Sequence, residues 1–250
     1  MIDIHAHILP GVDDGPVSWD QSIDLVKQAA EDGIRGIVCT SHVLDDLSQE
    51  LEDQFISKFG ELKQRVIDCG LNVSLWLGSE IHIHSVFDIK SKIATINGNG
   101  KYLLIELPLS GMANNAGETF FNLTVNGITP ILAHPERNRI IIYRPEVAFE
   151  FVNMGVLIQL NAGSITGAFG RSVKRCSFKL LDHRLVHFVA SDCHHPKSRP
   201  LMLSKAFRVV ARRWGMEMAE ILFRKNPLKA VNGEDPIVPA PVPFDKKIIK

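Results

Sequence analysis

Seven short apolar segments alternate with helical patterns along this 250-residue chain, and that alternation constrains the fold more than any other feature. The segments predicted as strands are residues 2–7, 37–40, 73–77, 102–105, 130–133, 156–160 and 186–190. Strands that are apolar throughout are buried on both faces, as in parallel sheets covered by helices. No Gly-x-Gly-x-x-Gly follows the first segment, which disfavours a dinucleotide-binding sheet. The sequence therefore predicts an α/β fold with a seven-stranded (βα) barrel.

Between these strands, apolar residues recur at helical spacing. The predicted helices cover residues 18–33, 51–68, 118–126, 147–154, 172–181 and 201–223. Ser18 precedes Gln21 by three positions, a capping-box pattern, and Gly33 and Gly70 are natural stops. We find no internal repeat and no linker, and we expect residues 1–233 to form one domain. Residues 234–250 contain four prolines and end in Lys-Lys-Ile-Ile-Lys, which predicts an extended or mobile tail.

Composition excludes several classes of function. The chain has 28 basic and 28 acidic residues and no basic stripe, so nothing indicates a nucleic-acid partner. No apolar run approaches the length of a membrane span, and a strand beginning at residue 2 leaves no room for a signal peptide. The four cysteines are scattered and form no C-x-x-C pair, which fits free thiols in a reducing compartment. We expect a cytoplasmic protein.

The first predicted strand ends in His5 and His7. Side chains two residues apart on a strand point to the same face, so both imidazoles project together from its carboxyl end. Two imidazoles on one face can form half of a metal site. Alone, the pair is equally compatible with two solvated histidines, because short motifs often occur by chance.

The other strand ends strengthen the metal hypothesis. Six of the seven predicted strand ends carry histidine or a carboxylate, and in βα barrels the chemistry lies at the carboxyl ends of the strands. The candidate ligands are His5, His7, Asp14, His42, Glu80, Glu106, His134, Asp192 and His194. Nine ligands exceed the needs of one tetrahedral ion and suit two or three ions with bridging carboxylates. The sequence therefore predicts a multinuclear metal site.

These motifs together resemble the PHP (polymerase and histidinol phosphatase) family of phosphoesterases. The motifs are His5-Ala6-His7, Thr40-Ser41-His42, Gly78-Ser79-Glu80-Ile81, Ala133-His134-Pro135 and Ser191-Asp192-Cys193-His194. The resemblance covers the chain through about residue 200. It implies a distorted seven-stranded barrel of PHP type that holds three divalent metal ions.

Carried over by position, the resemblance assigns the ligands to three ions. One ion would be held by His5, His7, Glu80 and Asp192. A second would be held by Glu80, Glu106 and His134, with Glu80 bridging, and a third by Asp14, His42 and His194. The mixture of histidine and carboxylate suits Mn²⁺, with iron, zinc or cobalt as alternatives.

Within that family, the chain is most similar to the bacterial tyrosine-protein phosphatases of capsule and exopolysaccharide synthesis. The opening Met1-Ile2-Asp3-Ile4-His5-Ala6-His7, the Asp13-Asp14-Gly15-Pro16 loop and His134-Pro135-Glu136-Arg137-Asn138 carry this likeness. It implies that Arg137 and Arg199 bind phosphate. The implied substrate is the phosphotyrosine tail of a membrane-associated tyrosine kinase that controls polymer export.

The chemistry of the residues agrees with this activity. A metal-bridging hydroxide is a nucleophile near neutral pH, because metals lower the pKa of bound water to about 7 in favourable cases. The planar forks of Arg137 and Arg199 match phosphate oxygens. Phenolate, with a pKa of about 10, leaves with less general-acid help than an alkoxide needs. The enzyme would therefore be a metal-dependent phosphoric monoester hydrolase.

Three alternatives remain open from the sequence. A metal-dependent amidohydrolase also opens with H-x-H, but it typically uses a lysine at a mid-barrel strand end, where this chain has Glu80 and Glu106. A small-molecule phosphatase, such as one acting on histidinol phosphate, has the same metal requirements. A binding module with inert metals is disfavoured because no ligand position is lost.

A cysteine-dependent route is a further alternative, because Cys193 and Arg199 have the C-x₅-R spacing of cysteine phosphatases. Pro196 lies inside that loop and lacks the N–H that a phosphate cradle needs. The carboxylate of Asp192 would raise the pKa of the thiol where that chemistry requires it lowered. We therefore expect Cys193 to be dispensable.

Several other residues have plainer interpretations. We expect rim, structural or solvated roles for His82, His84, His183, His187 and His195. Arg139 could replace Arg137 in reading phosphate, since the two lie only two positions apart.

Overall fold

Nine parallel strands form the centre of the part of the chain that the structure describes. The computed structural model describes residues 1–244, so the predicted tail of residues 234–250 lies partly outside the described residues. The strands are β1 (Ile2–Ala6), β2 (Gly36–Cys39), β3 (His42–Val43), β4 (Ser74–Leu77), β5 (Glu80–His82), β6 (Tyr102–Glu106), β7 (Thr129–Ala133), β8 (Leu157–Asn161) and β9 (Phe188–Ala190). All are short and most are largely buried, as continuous apolar character predicts, whereas β4 is only partly buried.

Helices connect most of these strands. They are α1 (Trp19–Glu31), α2 (Gln49–Asp68), α3 (Ala116–Val125), α4 (Arg139–Tyr143), α5 (Glu146–Asn153), α6 (Ala162–Thr166), α7 (Arg171–Asp182), α8 (Ser204–Trp214), α9 (Met216–Glu220) and α10 (Asn226–Val231). Short 3₁₀ turns cover Ile96–Gly98 and Pro135–Arg137, and a π-helical turn covers Ile221–Lys225. The helices predicted within residues 201–223 are present as α8 and α9, and Gly215, at φ +96°, separates them.

The start of α1 shows how local sequence sets an element. The Ser18 hydroxyl accepts a hydrogen bond from the Gln21 backbone N–H, as expected of an N-cap. The Gln21 side chain accepts from the N–H of Val17 rather than that of Ser18, so the predicted capping box is displaced by one residue. At the other end, Gly33 adopts φ +83°, a conformation that glycine reaches without strain.

The strands are divided between two sheets, one with the order β1-β2-β4 and one with the order β3-β5-β6-β7-β8-β9. The prediction of seven strands is therefore wrong. The chain bends at Thr40–Ser41 and again at Gly78–Ser79, and after each bend it resumes as a short strand. These two added strands pair with each other, with His42 opposite Glu80. The bends thus bring two candidate ligands side by side.

The two sheets meet where β1 lies beside the chain that follows β9. The His7 N–H donates to the Cys193 carbonyl over 3.0 Å, and the Asp192 N–H donates to the His5 carbonyl over 2.9 Å. The side chain of Asp3 accepts from the backbone N–H groups of His5 and Ser191 at the same junction. The last strand is thereby held against the first, and their carboxyl ends coincide.

The segment after α10 packs on the body of the protein as far as residue 244. Tyr102 donates its hydroxyl to the carbonyl of Glu234, and Asn226 exchanges two hydrogen bonds with the backbone of Ile237. Further along, the ring of Phe244 stacks on His183 with centroids 3.7 Å apart. Among the described residues, no helix is both long and apolar enough to cross a bilayer.

Candidate metal centre and phosphate site

The nine candidate ligands cluster where the strands end or bend, and six of them line one cleft. His5 and His7 end β1, His42 begins β3 and Glu80 begins β5. The others are Glu106 at the end of β6, His134 after β7, Asp192 and His194 after β9, and Asp14 in the loop before α1. Parallel strands with aligned carboxyl ends bring these distant positions together.

Glu80 lies at the centre of the cluster. Its Oε2 atom is 3.1 Å from Nε2 of His5, 3.2 Å from Nε2 of His7 and 3.1 Å from Nδ1 of His42. Its other oxygen, Oε1, is 2.9 Å from Nε2 of His134. One fully buried carboxylate therefore faces four imidazoles, the geometry expected of a bridging ligand.

The ligand atoms fall into overlapping groups, in each of which all atoms lie within 4.8 Å of one another. These groups are His7, Asp14, His42 and His194; His5, His134 and Asp192; His5, His7 and Glu80; and His42, Glu80 and Glu106. The first group contains the three residues expected to hold a third ion, with His7 added. His134 lies 3.6 Å from Glu106, so the expected second set is also assembled.

The electrostatics of the cluster fit a cation. The Nε2 atoms of His5 and His7 face each other at 3.1 Å, and the buried Oε2 of Glu80 lies beside imidazole nitrogens but accepts no hydrogen bond from the described residues. Burial and the charge of Glu80 raise the pKa of Glu106 to about 7. Burial opposes protonation of His7, but the carboxylates of Asp13 and Glu80 raise its pKa to about 10. Divalent cations would relieve this crowding of donor atoms by replacing protons.

Two further residues orient the first pair of histidines, and the sequence prediction missed both. Oδ2 of Asp13 lies 2.8 Å from Nδ1 of His7, and Oε1 of Gln159 lies 2.8 Å from Nδ1 of His5. Each contact fixes the ring so that Nε2 faces the cluster. Asp13 is buried whereas the side chain of its neighbour Asp14 is 65% exposed, so adjacent carboxylates have different environments.

Asp192 joins the ligand cluster to the two arginines. Its Oδ1 atom lies 3.5 Å from Nε2 of His5, on the side of the imidazoles. Its Oδ2 atom accepts from Nη1 of Arg137 at 3.0 Å, lies 2.5 Å from Nη2 of Arg199 and accepts from Nδ2 of Asn161. Asn161, a third residue missed from the sequence, lies two positions after Gln159 on the same face of β8.

His134 and Asp192 share an unusual backbone conformation. Their φ angles are +31° and +54°, in the left-handed region that residues with a Cβ seldom adopt. His134 directly follows β7 and Asp192 lies two residues after β9, where the chain must turn while the side chain stays directed into the cleft. Such strain persists where the surrounding structure holds it, and it is typical of functional sites.

The loop after β9 does not have the form of a cysteine-phosphatase cradle. Cys193 is fully buried in the hydrophobic core, and burial raises the pKa of its thiol well above the usual value. The backbone N–H groups of His194 and His195 both donate to the carbonyl of Arg199, which leaves them unavailable to an anion. The geometry thus agrees with the expectation that Cys193 is dispensable.

The remaining candidates divide between the cleft and the surface. Arg137, Arg199 and His82 line the cleft, whereas Arg139 is exposed and does not. His84 is exposed, and the ring of His195 accepts a hydrogen bond from the Lys197 N–H outside the cleft.

The cleft has a volume of about 1010 Å³ and combines two kinds of surface. Six of the candidate ligands and both arginines form its floor. Apolar side chains form much of its wall: Val12, Leu44, Leu51, Leu107, Pro108 and Leu109. Leu44 and Leu109 are 58% and 46% exposed, so part of this wall faces solvent.

The fold and this site define an α/β protein with a candidate multinuclear metal centre beside a pair of arginines. The chain belongs to the CpsB/CapC family of capsular polysaccharide synthesis, whose family model matches residues 1–232. The family resemblance stated from the sequence is therefore confirmed.

Similar proteins support this membership. The chain is 40% identical to CapC of Staphylococcus aureus over 210 residues, covering 83% of this chain and 82% of CapC. It is 34% identical to the tyrosine-protein phosphatase YwqE of Bacillus subtilis over 225 residues, covering 89% and 88% of the two chains. A crystal structure from a study of YwqE from Bacillus subtilis and CpsB from Streptococcus pneumoniae matches with a TM-score of 0.89 and 30% identity. The match covers 98% of this chain and 100% of the chain in that crystal structure. The study describes YwqE and CpsB as metal-dependent tyrosine phosphatases.

Proposed function

We propose that this protein is a metal-dependent phosphoric monoester hydrolase that hydrolyses phosphotyrosine. The observation that carries the proposal is the position of Asp192, whose carboxylate faces the imidazole cluster with one oxygen and two arginines with the other. A phosphate placed beside that carboxylate would meet both the metal centre and two guanidinium groups. Similar proteins of this family, YwqE and CpsB, are named tyrosine-protein phosphatases.

The nine clustered residues would hold three divalent ions, and the mixed nitrogen and oxygen donors favour Mn²⁺. Divalent ions in such a site lower the pKa of a bound water and polarise phosphoryl oxygens. The residues of the chain set the geometry for that chemistry. Glu80 would be a shared ligand, Asp13 and Gln159 fix the rings of His7 and His5, and Asn161 holds the carboxylate of Asp192.

Arg137 and Arg199 would bind the phosphate. Guanidinium groups donate two parallel hydrogen bonds to phosphate oxygens, and in a partly buried cleft these charge-assisted bonds are stronger than in water. Both side chains are largely shielded, being 19% and 26% exposed. They would neutralise the charge that develops on the phosphoryl oxygens while the ester bond breaks.

The cleft wall favours an aryl ester. Leu44 and Leu109 lie at the rim beside the floor of charged residues, where the ring of a phosphotyrosine could pack while its phosphate reaches the arginines. A phenolate leaves without a strong general acid, because the pKa of tyrosine is about 10. A phosphotyrosine tail of a membrane-associated tyrosine kinase of polymer synthesis is the partner we propose, met in the cytoplasm.

We propose further that the two sheets belong to one distorted barrel of PHP type, formed by residues 1–233 as a single domain. The hydrogen bonds between β1 and the chain after β9 support this interpretation. So do the extensive core shared by both sheets and the continuation of β2 and β4, after their bends, as β3 and β5.

The first experiment tests whether activity requires divalent metal. Exhaustive chelation should abolish turnover of phosphotyrosine peptides, and added Mn²⁺ should restore it, with metal content measured by mass spectrometry. His194→Ala should lose both metal and turnover, whereas the control His195→Ala, which alters a ring outside the cleft, should keep both. Full activity in verified metal-free protein would refute metal dependence.

Substrate class is tested by a panel on the loaded enzyme. Phosphotyrosine peptides should exceed histidinol phosphate and other alkyl phosphates in kcat/KM. A preference for histidinol phosphate would replace the tyrosine-phosphatase proposal by a small-molecule phosphatase, and hydrolysis of amides without phosphatase activity would indicate an amidohydrolase.

A further inference from the structure

The aromatic ring of Phe169 lies directly beside both arginines of the site. The guanidinium carbon of Arg137 is 4.5 Å from the ring centroid, and that of Arg199 is 5.8 Å from it. Both distances fall within the range in which a cation is attracted to the face of an aromatic ring. One ring therefore contacts the two residues to which phosphate binding is assigned above.

The loop that carries Phe169 is tightly built. It connects α6 to α7 and is bracketed by Gly167 at φ +96° and Gly170 at φ +93°, a conformation that other residues reach only with strain. The N–H groups of Gly167 and Ala168 both donate to the carbonyl of Gly163. These bonds fold the loop back on α6 and fix the position from which the ring projects.

The ring also packs against the backbone of α6. A Cβ atom added to Gly163 would lie 2.9 Å from Cε2 of Phe169, closer than such contacts occur. Glycine at position 163 therefore lets the ring approach the first turn of α6. Because α6 directly follows β8, the ring is supported by the same strand that supplies Gln159 and Asn161.

Each guanidinium is thus held by two different contacts. Asp192 accepts from one edge of the Arg137 fork, and the ring of Phe169 lies beside the same group. In Arg199, Nε is buried and has no hydrogen-bond acceptor among residues 1–244, so the contacts with Asp192 and the ring of Phe169 are those that hold this group. An aromatic face attracts a guanidinium without accepting its in-plane N–H groups, which leaves those donors for a ligand.

We propose that Phe169 is a positioning residue that holds Arg137 and Arg199 as a clamp for phosphate. This inference rests on the proposed function of the same site. Phe169 does not contact the reacting atoms; it limits the freedom of two long side chains before phosphate arrives. Such preorganisation lowers the entropic cost of binding and therefore strengthens affinity for phosphate.

The experiment compares variants of the metal-loaded, full-length protein. Phe169→Leu keeps an apolar side chain but removes the aromatic face, whereas Phe169→Tyr keeps the face. For Phe169→Leu we expect the Kd for inorganic phosphate, measured by calorimetry, to rise about tenfold. KM for a phosphotyrosine peptide should rise while kcat changes less, and metal content should stay full. Phe169→Tyr should remain within about twofold of the wild type.

A double-mutant cycle separates positioning from a merely structural role. In an Arg137→Ala, Arg199→Ala background, Phe169→Leu should change the Kd for phosphate less than about twofold, because the clamp is already absent. If Phe169→Leu weakened phosphate binding equally with and without the two arginines, the inference would be overturned. It would also be overturned if Phe169→Leu bound phosphate with wild-type affinity. Gly163→Ala, which displaces the ring without changing it, should reproduce the effect of Phe169→Leu.

The phosphate measurement does not depend on turnover, so the two proposals can fail separately. A wild-type protein that binds phosphate but does not hydrolyse phosphotyrosine would overturn the proposed function, while the variants would still decide the role of Phe169. A metal-loaded wild type that does not bind phosphate would overturn both.

Discussion

His187 should make the stability of this protein sensitive to mild acid. The residue is fully buried between β8 and β9, and its Nδ1 atom accepts a hydrogen bond from the Ile158 N–H over 2.9 Å. The ring is therefore neutral with its proton on Nε2, which has no hydrogen-bond partner among the described residues. Burial lowers the pKa of His187 from 6.5 to about 4.

The direction of the effect follows from proton linkage. Below pH 6.5 the unfolded chain binds a proton at this ring and the folded chain does not, so acid favours unfolding until the folded ring also titrates near pH 4. The stabilisation that the neutral His187 ring gives the folded protein is fully present above pH 6.5. It is lost progressively as the pH falls towards 4. With these two pKa values, about 2 kcal/mol of unfolding free energy is lost between pH 7 and pH 5.

The assay is urea unfolding of wild type and His187→Asn at pH 7 and pH 5, under identical metal conditions. The Oδ1 atom of asparagine can replace Nδ1 as the acceptor for the Ile158 N–H, but asparagine does not titrate. The variant should be less stable than the wild type at pH 7, because the smaller side chain leaves a cavity. From pH 7 to pH 5, however, its unfolding free energy should fall by about 2 kcal/mol less than that of the wild type.

The metal ligands also titrate, and their effect cancels in the comparison because they are common to both proteins. His84→Asn, which removes an exposed histidine, is the matched control and should leave the pH dependence unchanged. An identical pH dependence in wild type and His187→Asn would refute the reasoning, because it would mean that the buried ring takes up its proton without cost.

Three further predictions concern the site. Asp13→Asn should weaken metal affinity by about 10- to 100-fold, measured by competition with a chelating dye, because the ring of His7 loses its carboxylate partner. Arg137→Ala and Arg199→Ala should each lower kcat/KM on phosphotyrosine peptides about 100-fold at full metal content, with the exposed Arg139→Ala as a control that stays near wild type. Cys193→Ser should keep most activity and remain metal-dependent; a fully metallated but inactive protein would contradict the metal mechanism.

Sequence reasoning placed the candidate ligands at one end of the fold because parallel strands impose that arrangement. Once the strands were recognised, His134 and Asp192 had to lie close together although 58 positions separate them. The reasoning did not reveal that both residues take a left-handed backbone conformation, because φ depends on how the following loops pack.

The supporting residues were harder to predict, for different reasons. Asp13 and Asp14 are adjacent, and only the packed loop shows that the first contacts His7 while the second faces His42 and His194. Gln159 and Asn161 did leave a signal, since two amides in an otherwise apolar strand share one face. Phe169 left no signal in the sequence. Its role depends on the shape of the loop that carries it, and the composition of that loop does not specify the shape.

The predicted number of strands is too low because two short strands that follow bends in the chain were missed. Hydrophobic runs end at Cys39 and Leu77, so the sequence indicates that strands stop there. The following short strands contain His42 and Glu80, which are polar and offer no apolar pattern. Their pairing is stable because it continues a sheet already formed by longer strands, a tertiary effect that no local pattern reports.

The shared carboxylate of Asp192 has a thermodynamic consequence. A cation beside its Oδ1 atom would draw charge from the carboxylate, which would weaken its hold on Arg137 and Arg199 and release their donors to an anion. Cation and phosphate would therefore favour each other's binding, and by reciprocity each would raise the affinity of the other by the same factor. Product phosphate that accumulates would retain metal in the protein, and the protein would release its metal most readily when the cleft holds no anion.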